Sequence, residues 1–310
     1  IGIGPSSSHT MGPMVAAARF LDLMRASPFR FGGVKARLHG SLAFTGVGHG
    51  TDRATILGLA GFDPQTYAHD RAEAALAEIR ANHRISVSGL PLLKFDPKID
   101  IQFDFGPNLP RHANGMVLLA TDKQGDAVLQ ETYYSVGGGF VLSEAEMDVP
   151  PPEISMRSVP YPFKTAKEML QMAETSGKSI AQMKRENELN QIEHNTLSSG
   201  LARIWQVMSD CIDRGLERDG ILPGGLNVRR RAKGIHDALM AERGINLAPP
   251  HTINDWMSVY AMAVNEENAA GGQVVTAPTN GAAGVLPAVL RYYLDHVPGA
   301  TRLKIEDFLL

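Results

Sequence analysis

Five prolines between residues 148 and 163, at Pro150, Pro151, Pro152, Pro160 and Pro162, constrain this chain more than any other feature. Proline locks its own φ, lacks an amide donor and biases the residue before it away from helix, so such a stretch continues neither a helix nor a central strand. The segment 148–163 therefore predicts a linker with a separate hydrophobic unit on each side. With 310 residues, 44% of them hydrophobic, the chain can bury a core in both.

The two sides differ in period. Before the linker, residues 34–44, 98–105, 115–121 and 127–134 read as strands, most clearly where Ile99, Ile101, Phe103 and Phe105 alternate with Asp100, Gln102 and Asp104. Between them, 13–25, 51–60 and 68–82 carry apolar or alanine positions at helical spacing, as in Ala72, Ala75, Leu76 and Ile79. After the linker, 164–176, 179–190, 193–214, 228–242, 252–267 and 281–294 all read as helices punctuated by glycine or proline. The expected organisation is an α+β N-terminal domain at 1–147 followed by an all-α domain over 164–310.

Charge and composition narrow the functional classes. A net charge of −3 with both signs interspersed offers no basic stripe for phosphates, which argues against nucleic acid. No apolar run reaches the roughly 18 residues of a spanning helix, and the start has no signal-peptide pattern, so the expected location is the cytoplasm, away from membranes. A single cysteine, Cys211, rules out an internal disulfide and fits a reducing compartment. The chain opens without methionine and stops on the apolar run Ile305-Glu306-Asp307-Phe308-Leu309-Leu310. The expectation is truncation at both ends, against a processed N-terminus and a frayed tail.

Chemistry concentrates in three segments that place polar residues before a helix. In Pro5-Ser6-Ser7-Ser8-His9-Thr10, hydroxyls and an imidazole precede the first helix, where free amides and the helix dipole favour an anion such as a carboxylate. In Gly46-Val47-Gly48-His49-Gly50-Thr51-Asp52, glycines hold His49 at a turn, and Thr51 or Asp52 can cap the next helix. In the third, Asn265-Glu266-Glu267-Asn268-Ala269-Ala270-Gly271-Gly272 leads through a glycine loop to Thr279 and Asn280 and a further apolar helix. Each segment taken alone is equally a cap, a glycine turn or a helix-packing joint. A zinc site built from the two histidines and Asp52 has no spacing that fixes three ligands.

Together these residues carry a resemblance. The run Ile3-Gly4-Pro5-Ser6-Ser7-Ser8-His9-Thr10 with Gly12-Pro13-Met14 resembles the N-terminal signature of bacterial iron-sulfur L-serine dehydratases. The similarity continues in order through Leu38-His39-Gly40-Ser41-Leu42, Gly48-His49-Gly50-Thr51-Asp52, Asn114-Gly115-Met116, Tyr133-Tyr134-Ser135-Val136-Gly137-Gly138-Gly139-Phe140, Pro160-Tyr161-Pro162-Phe163-Lys164, Val264-Asn265-Glu266-Glu267-Asn268-Ala269-Ala270-Gly271-Gly272 and Thr276-Ala277-Pro278-Thr279-Asn280-Gly281. It spans nearly the whole chain.

The resemblance implies a serine ammonia-lyase: water is eliminated from L-serine to give pyruvate and ammonia, with a [4Fe-4S] cluster as Lewis acid on the hydroxyl. It implies a homodimer, and a helical catalytic domain of which 164–310 is the first part. Within that frame His49 is the first choice of base and His9 the second or an orienting partner. Ser6, Ser7, Ser8, Thr10, Thr51, Asp52, Thr279 and Asn280 become candidates for holding the substrate's carboxylate and ammonium. The three helix starts are expected to meet in one cleft between the domains. The cluster cysteines of the family lie after the Thr-Asn-Gly segment, so they are expected beyond Leu310, leaving no metal ligands in residues 1–310 and no turnover by these residues alone. Cys211, in the helical run around Ile204 and Ile212, reads as a buried, inert thiol. A pyridoxal-phosphate eliminase would need a lysine beside a glycine-rich phosphate cup, and none is present. A non-catalytic serine-binding or regulatory module is the alternative outside the enzymes.

Overall fold

The computed structural model describes residues 2–4 (backbone only), 8–149, 159–223, 226–242, 251–276 and 281–310. Its N-terminal region holds a curled mixed sheet and its C-terminal region is mostly helical. Strand β1 (Gly2–Gly4) precedes helix α1 (Met11–Ala26), strand β2 (Gly33–His39), the short helices α2 (Ser41–Phe44) and α3 (Gly46–His49), then α4 (Thr51–Leu59) and α5 (His69–Asn82). Strands β3 (Arg84–Ile85), β4 (Leu93–Lys94), β5 (Ile101–Asp104), β6 (Gly115–Thr121), β7 (Ala127–Gly137) and β8 (Phe140–Ser143) follow, and α6 (Glu144–Met147) ends the region. The helical region comprises α7 (Ala166–Ser176), α8 (Ile180–Leu189), α9 (His194–Glu217), α10 (Ala232–Glu242), α11 (Thr252–Ala269), strand β9 (Val274–Thr276), α12 (Val285–His296) and α13 (Arg302–Leu309). None of the described helices is long and apolar enough to cross a membrane.

The main sheet runs β3-β4-β2-β6-β7-β8, with β5 added in parallel to the second half of β2. In β2, Val34, Ala36 and Leu38 point into the core while Lys35 and Arg37 face solvent, the alternation expected of a half-buried sheet. On the inner face lie α1, α4 and α5, whose Phe20, Leu21, Leu57 and Leu76 join one continuous core with Leu38, Met116 and Leu118. A second core forms where α9, α10, α11 and α12 meet, around Ile212, Leu239, Val259, Ala263 and Ala288.

Several expectations need correction. The strand expected over 34–44 stops at His39, because Gly40 turns the chain at φ 55°, where an added Cβ would lie 2.3 Å from the Ala113 carbonyl oxygen. Residues 41–44 form α2 instead. The strand expected over 98–105 shrinks to Ile101–Asp104. Upstream, the Asp96 carboxylate accepts from Lys98 N and the Asp100 carboxylate from Asp96 N, closing a turn that leaves Ile99 exposed. The glycine turn at 46–50 contains the one-turn helix α3. Strand β1 leaves the N-terminal sheet altogether and pairs antiparallel with β9, Ile3 opposite Val275, so the start of the chain is sewn to the helical region. Most of the proline segment, residues 150–158, lies outside the described residues.

Helices α1 and α4 approach each other backbone to backbone in the first core. A Cβ on Gly58 would sit 2.4 Å from the Met14 carbonyl oxygen and 2.7 Å from Ala17 Cβ. Gly58→Ala must push the two helices apart, with an expected destabilisation of about 1–3 kcal/mol. Urea unfolding of the variant measures this; an unchanged midpoint contradicts the packing described.

Candidate active site

Helices α1 and α4 pack on one another, and the residues just before them meet. His9, just before α1, and His49, at the end of α3, face each other with ring centroids 4.6 Å apart and a 30° tilt. Their surroundings define how each ring holds its proton. The Thr45 hydroxyl donates to the Ser41 carbonyl at 2.8 Å, so its oxygen meets His9 Nε2, 3.0 Å away, as an acceptor. Ser41 Oγ lies 3.0 Å from the same nitrogen and Ser8 Oγ 3.1 Å from Nδ1. That pattern assigns the proton of neutral His9 to Nε2 and lets Ser8 donate to Nδ1. The other ring is pinned from the opposite side: His49 Nδ1 lies 2.8 Å from the Thr45 carbonyl, which can only accept. The neutral ring therefore carries its proton on Nδ1 and presents the Nε2 lone pair, the form a general base requires.

Both rings are held by Thr45. Burial, and next the charge of neighbouring His49, push the His9 pKa below its usual value, against a smaller opposing contribution from the hydrogen bond at Ser41.

His49 opens onto a cavity of about 610 Å³ whose walls come from both regions of the fold. Thr10, Met14, Gly48, Gly50 and Arg53 form one side, His69 and Glu73 of α5 a second, and Asn268, Ala269, Ala270 and Gly271 the facing wall. The joint is fixed nearby by the Gln65 carbonyl, which accepts from Arg203 Nη2 at 3.1 Å and Gln273 Nε2 at 3.0 Å.

The facing wall is rigid for an electrostatic reason. Glu267, fully buried, has Arg230 at 2.9 Å, Arg214 at 3.3 Å and Arg218 at 3.4 Å, and its carbonyl accepts from Gly272 N at 2.8 Å. Glu266 accepts from the backbone of Arg231 at 2.7 Å, at the start of α10. These acids of the third segment brace the fold, while the amide and small residues after them line the cavity.

Of the expected site residues, His9, His49, Ser8 and Thr10 gather at one end of α1, and Thr10 and His49 reach the cavity wall. Thr51 is fully buried, and Asp52 sits half-buried in the first turn of α4; neither lines the cavity. Nor does either cap that helix, because Gly50, at φ 69°, occupies the cap position. Ser6, Ser7, Thr279 and Asn280 lie outside the described residues. Helix α12 itself starts later than expected, at Val285.

Sequence reasoning overlooked Ser41, Thr45 and Arg53. Ser41 and Arg53 stood inside or beside quoted motifs, but nothing in their spacing points to His9 or to the cavity. Arg53 lies along the Tyr67 ring; its Nε donates to Glu73 at 3.0 Å and its Nη2 to the Tyr67 hydroxyl at 2.6 Å and to Glu73. Burial, the largest influence on its pKa, opposes the charge, yet Tyr67 and Glu73 outweigh it and hold the guanidinium more firmly protonated.

An iron-sulfur cluster has no fitting ligand set here. Cys211 is buried among Ile212, Trp256 and Val259, and burial pushes its thiol up to about 12. Among the described residues no three of His, Cys, Asp and Glu group as metal ligands. One buried thiol cannot supply the three thiolates that leave one iron open.

Residues 1–146 match the family model of the serine dehydratase beta chain, and residues 175–310 that of the serine dehydratase alpha chain. The L-serine dehydratase of Streptomyces coelicolor is 46% identical over 312 residues, covering 100% of this chain and 68% of that protein. L-serine dehydratase TdcG of Escherichia coli is 45% identical over 94% of this chain and 64% of its own length. The L-serine dehydratase of Haemophilus influenzae is 40% identical over 100% of this chain and 68% of its own length. The chain thus spans about two thirds of the length of these relatives.

The His9 environment has a consequence for stability. An unfolded histidine takes up its proton near pH 6.5, the folded one only at lower pH, so the unfolded state binds more protons between the two values. The contribution of neutral His9 is complete above about pH 6.5 and is lost as pH falls through the folded pKa. Denaturant unfolding at about pH 7.5 and 5.5 should show a larger loss for the parent protein than for His9→Gln. Equal losses contradict this role of burial.

Proposed function

Since this chain belongs to the serine dehydratase family, we propose that its cavity binds L-serine and that the complete protein eliminates water from it, releasing pyruvate and ammonia. The observation that carries this reading is the paired imidazoles: His49, with Nδ1 tied to the Thr45 carbonyl at 2.8 Å, offers Nε2 at a cavity of amino-acid size. In this reading His49 takes the α-proton of serine. The Cα–H electron pair left behind forms the second bond of Cα=Cβ as the Cβ–O bond breaks, and the hydroxyl departs as water after gaining a proton. Aminoacrylate then tautomerises and hydrolyses to pyruvate and ammonia, which balances the reaction.

His9 orients rather than reacts. Its Nε2 proton is held by Thr45 and Ser41 and its Nδ1 by Ser8, so it has no spare site for the substrate proton, and its neutral ring lies against His49 at 4.6 Å. Thr10, on the cavity wall, is proposed to offer its hydroxyl to the polar end of the ligand, and Ser6, Ser7, Ser8, Thr279 and Asn280 are proposed to add to it. The difficult part of the reaction is departure of the hydroxyl, for which residues 1–310 hold no cluster ligands. The [4Fe-4S] group that the resemblance implies is proposed to take its thiolates from outside these residues, so that 1–310 alone should release no pyruvate. The second half of the fold, 164–310, is read as the first part of the helical catalytic domain, and a homodimer as the working state.

Steady-state kinetics of the complete protein test the assignment. His49→Ala should lower kcat by about 10²–10⁴ with little change in KM, as expected for loss of a general base. Ser8→Ala should mainly raise KM. A His49→Ala protein with near-normal kcat contradicts the reading.

A further inference from the structure

We propose that Arg53 binds the α-carboxylate of the substrate amino acid, through the two N–H groups of its Nη1. This rests on the reading above, that the cavity takes an amino acid. It assigns the carboxylate to a residue that no helix-cap pattern in the sequence points to.

The argument is a count of donors. A guanidinium carries five N–H groups. The Nε proton goes to Glu73 at 3.0 Å, and the two Nη2 protons go to Glu73 and to the Tyr67 hydroxyl. Both protons of Nη1 remain, and this nitrogen lies 3.0 Å from where a Cβ on Gly271 would stand. The fork is thus fixed from behind by Glu73 and Tyr67 and directed at the Asn268–Gly271 wall, at the rim of the same cavity that His49 lines. Gly271, at φ 75°, keeps that approach open: a side chain there is both strained and crowded against the guanidinium.

Electrostatics favour a zwitterion over a simple anion. Glu73 already balances the charge of Arg53, so a net-neutral α-amino acid adds no uncompensated charge to the site. The Nη1 N–H groups can donate to a carboxylate oxygen, and a charge-assisted hydrogen bond of this kind in a partly enclosed cavity is among the stronger polar contacts. Glu73 and Tyr67 are then positioning residues, acting through Arg53.

The test uses the complete protein and two ligands, L-serine and L-serinamide, which differ in the carboxylate alone. By titration calorimetry the parent protein should bind serine at least tenfold more tightly than serinamide. Arg53→Gln should weaken serine binding by about ten- to a hundredfold while leaving serinamide affinity unchanged. A variant that keeps the full preference for serine overturns the assignment. Should Arg53→Gln fail to fold, phenylglyoxal labelling of the parent protein with mass spectrometry decides. Serine should slow modification of Arg53, whereas serinamide at equal occupancy should not; no protection by serine, or equal protection by both, overturns the assignment. Failure of the parent protein to bind serine at all overturns the underlying reading as well, which separates the two failures.

Discussion

The site depends on one contact made without a side chain. Gly58 lets α4 rest directly on the backbone of α1 at Met14, and the histidines that precede the two helices, His9 and His49, meet. With a larger residue the axes would separate, and the 4.6 Å approach of the His9 and His49 rings would lose support. From that alignment the proton positions follow. Thr45 offers its hydroxyl oxygen to one ring and its carbonyl to the other, a hydrogen-bonding arrangement that leaves His49 Nε2 as the open acceptor.

The opposite wall relies on buried charge. An unpaired carboxylate as buried as Glu267 would be costly, and losing a partner of such a group typically costs about 3–5 kcal/mol. Three arginines from two parts of the helical region surround it, and the turn that follows is thereby fixed where Asn268 to Gly271 face the histidines. The pairing of β1 with β9 and the bonds to the Gln65 carbonyl hold this wall against the N-terminal region. A cavity between two regions is thus kept in shape by contacts outside it.

Much of this was legible in the sequence. Long amphipathic stretches such as α1, α5 and α9 and the alternating strands β6 and β7 follow from period alone, and the joining of His9 with His49 was anticipated from two polar helix starts. What escaped was set by long-range geometry. Strand β1 is three residues of glycine and isoleucine with no pattern of its own, and its partner β9 lies in the other region. The turn at Gly40 depends on the distant Ala113 carbonyl, and Gly50 took the cap position that Thr51 and Asp52 were expected to fill, because its left-handed φ joins α3 directly to α4. Arg53 looked like one more charge on a helix surface; only the placement of Tyr67, Glu73 and Gly271 around it gives it a direction.

The central claim is that the histidine end of α1 and α3 and the Asn268–Gly271 wall form a single ligand site. Nuclear magnetic resonance of the complete protein, labelled in histidine rings and alanine methyl groups and titrated with L-serine, tests it most directly. The account predicts that the His49 ring and the Ala270 methyl, which line the same cavity, shift along one common saturation curve. A shift of His49 while Ala270 stays unmoved, or the reverse, would contradict it.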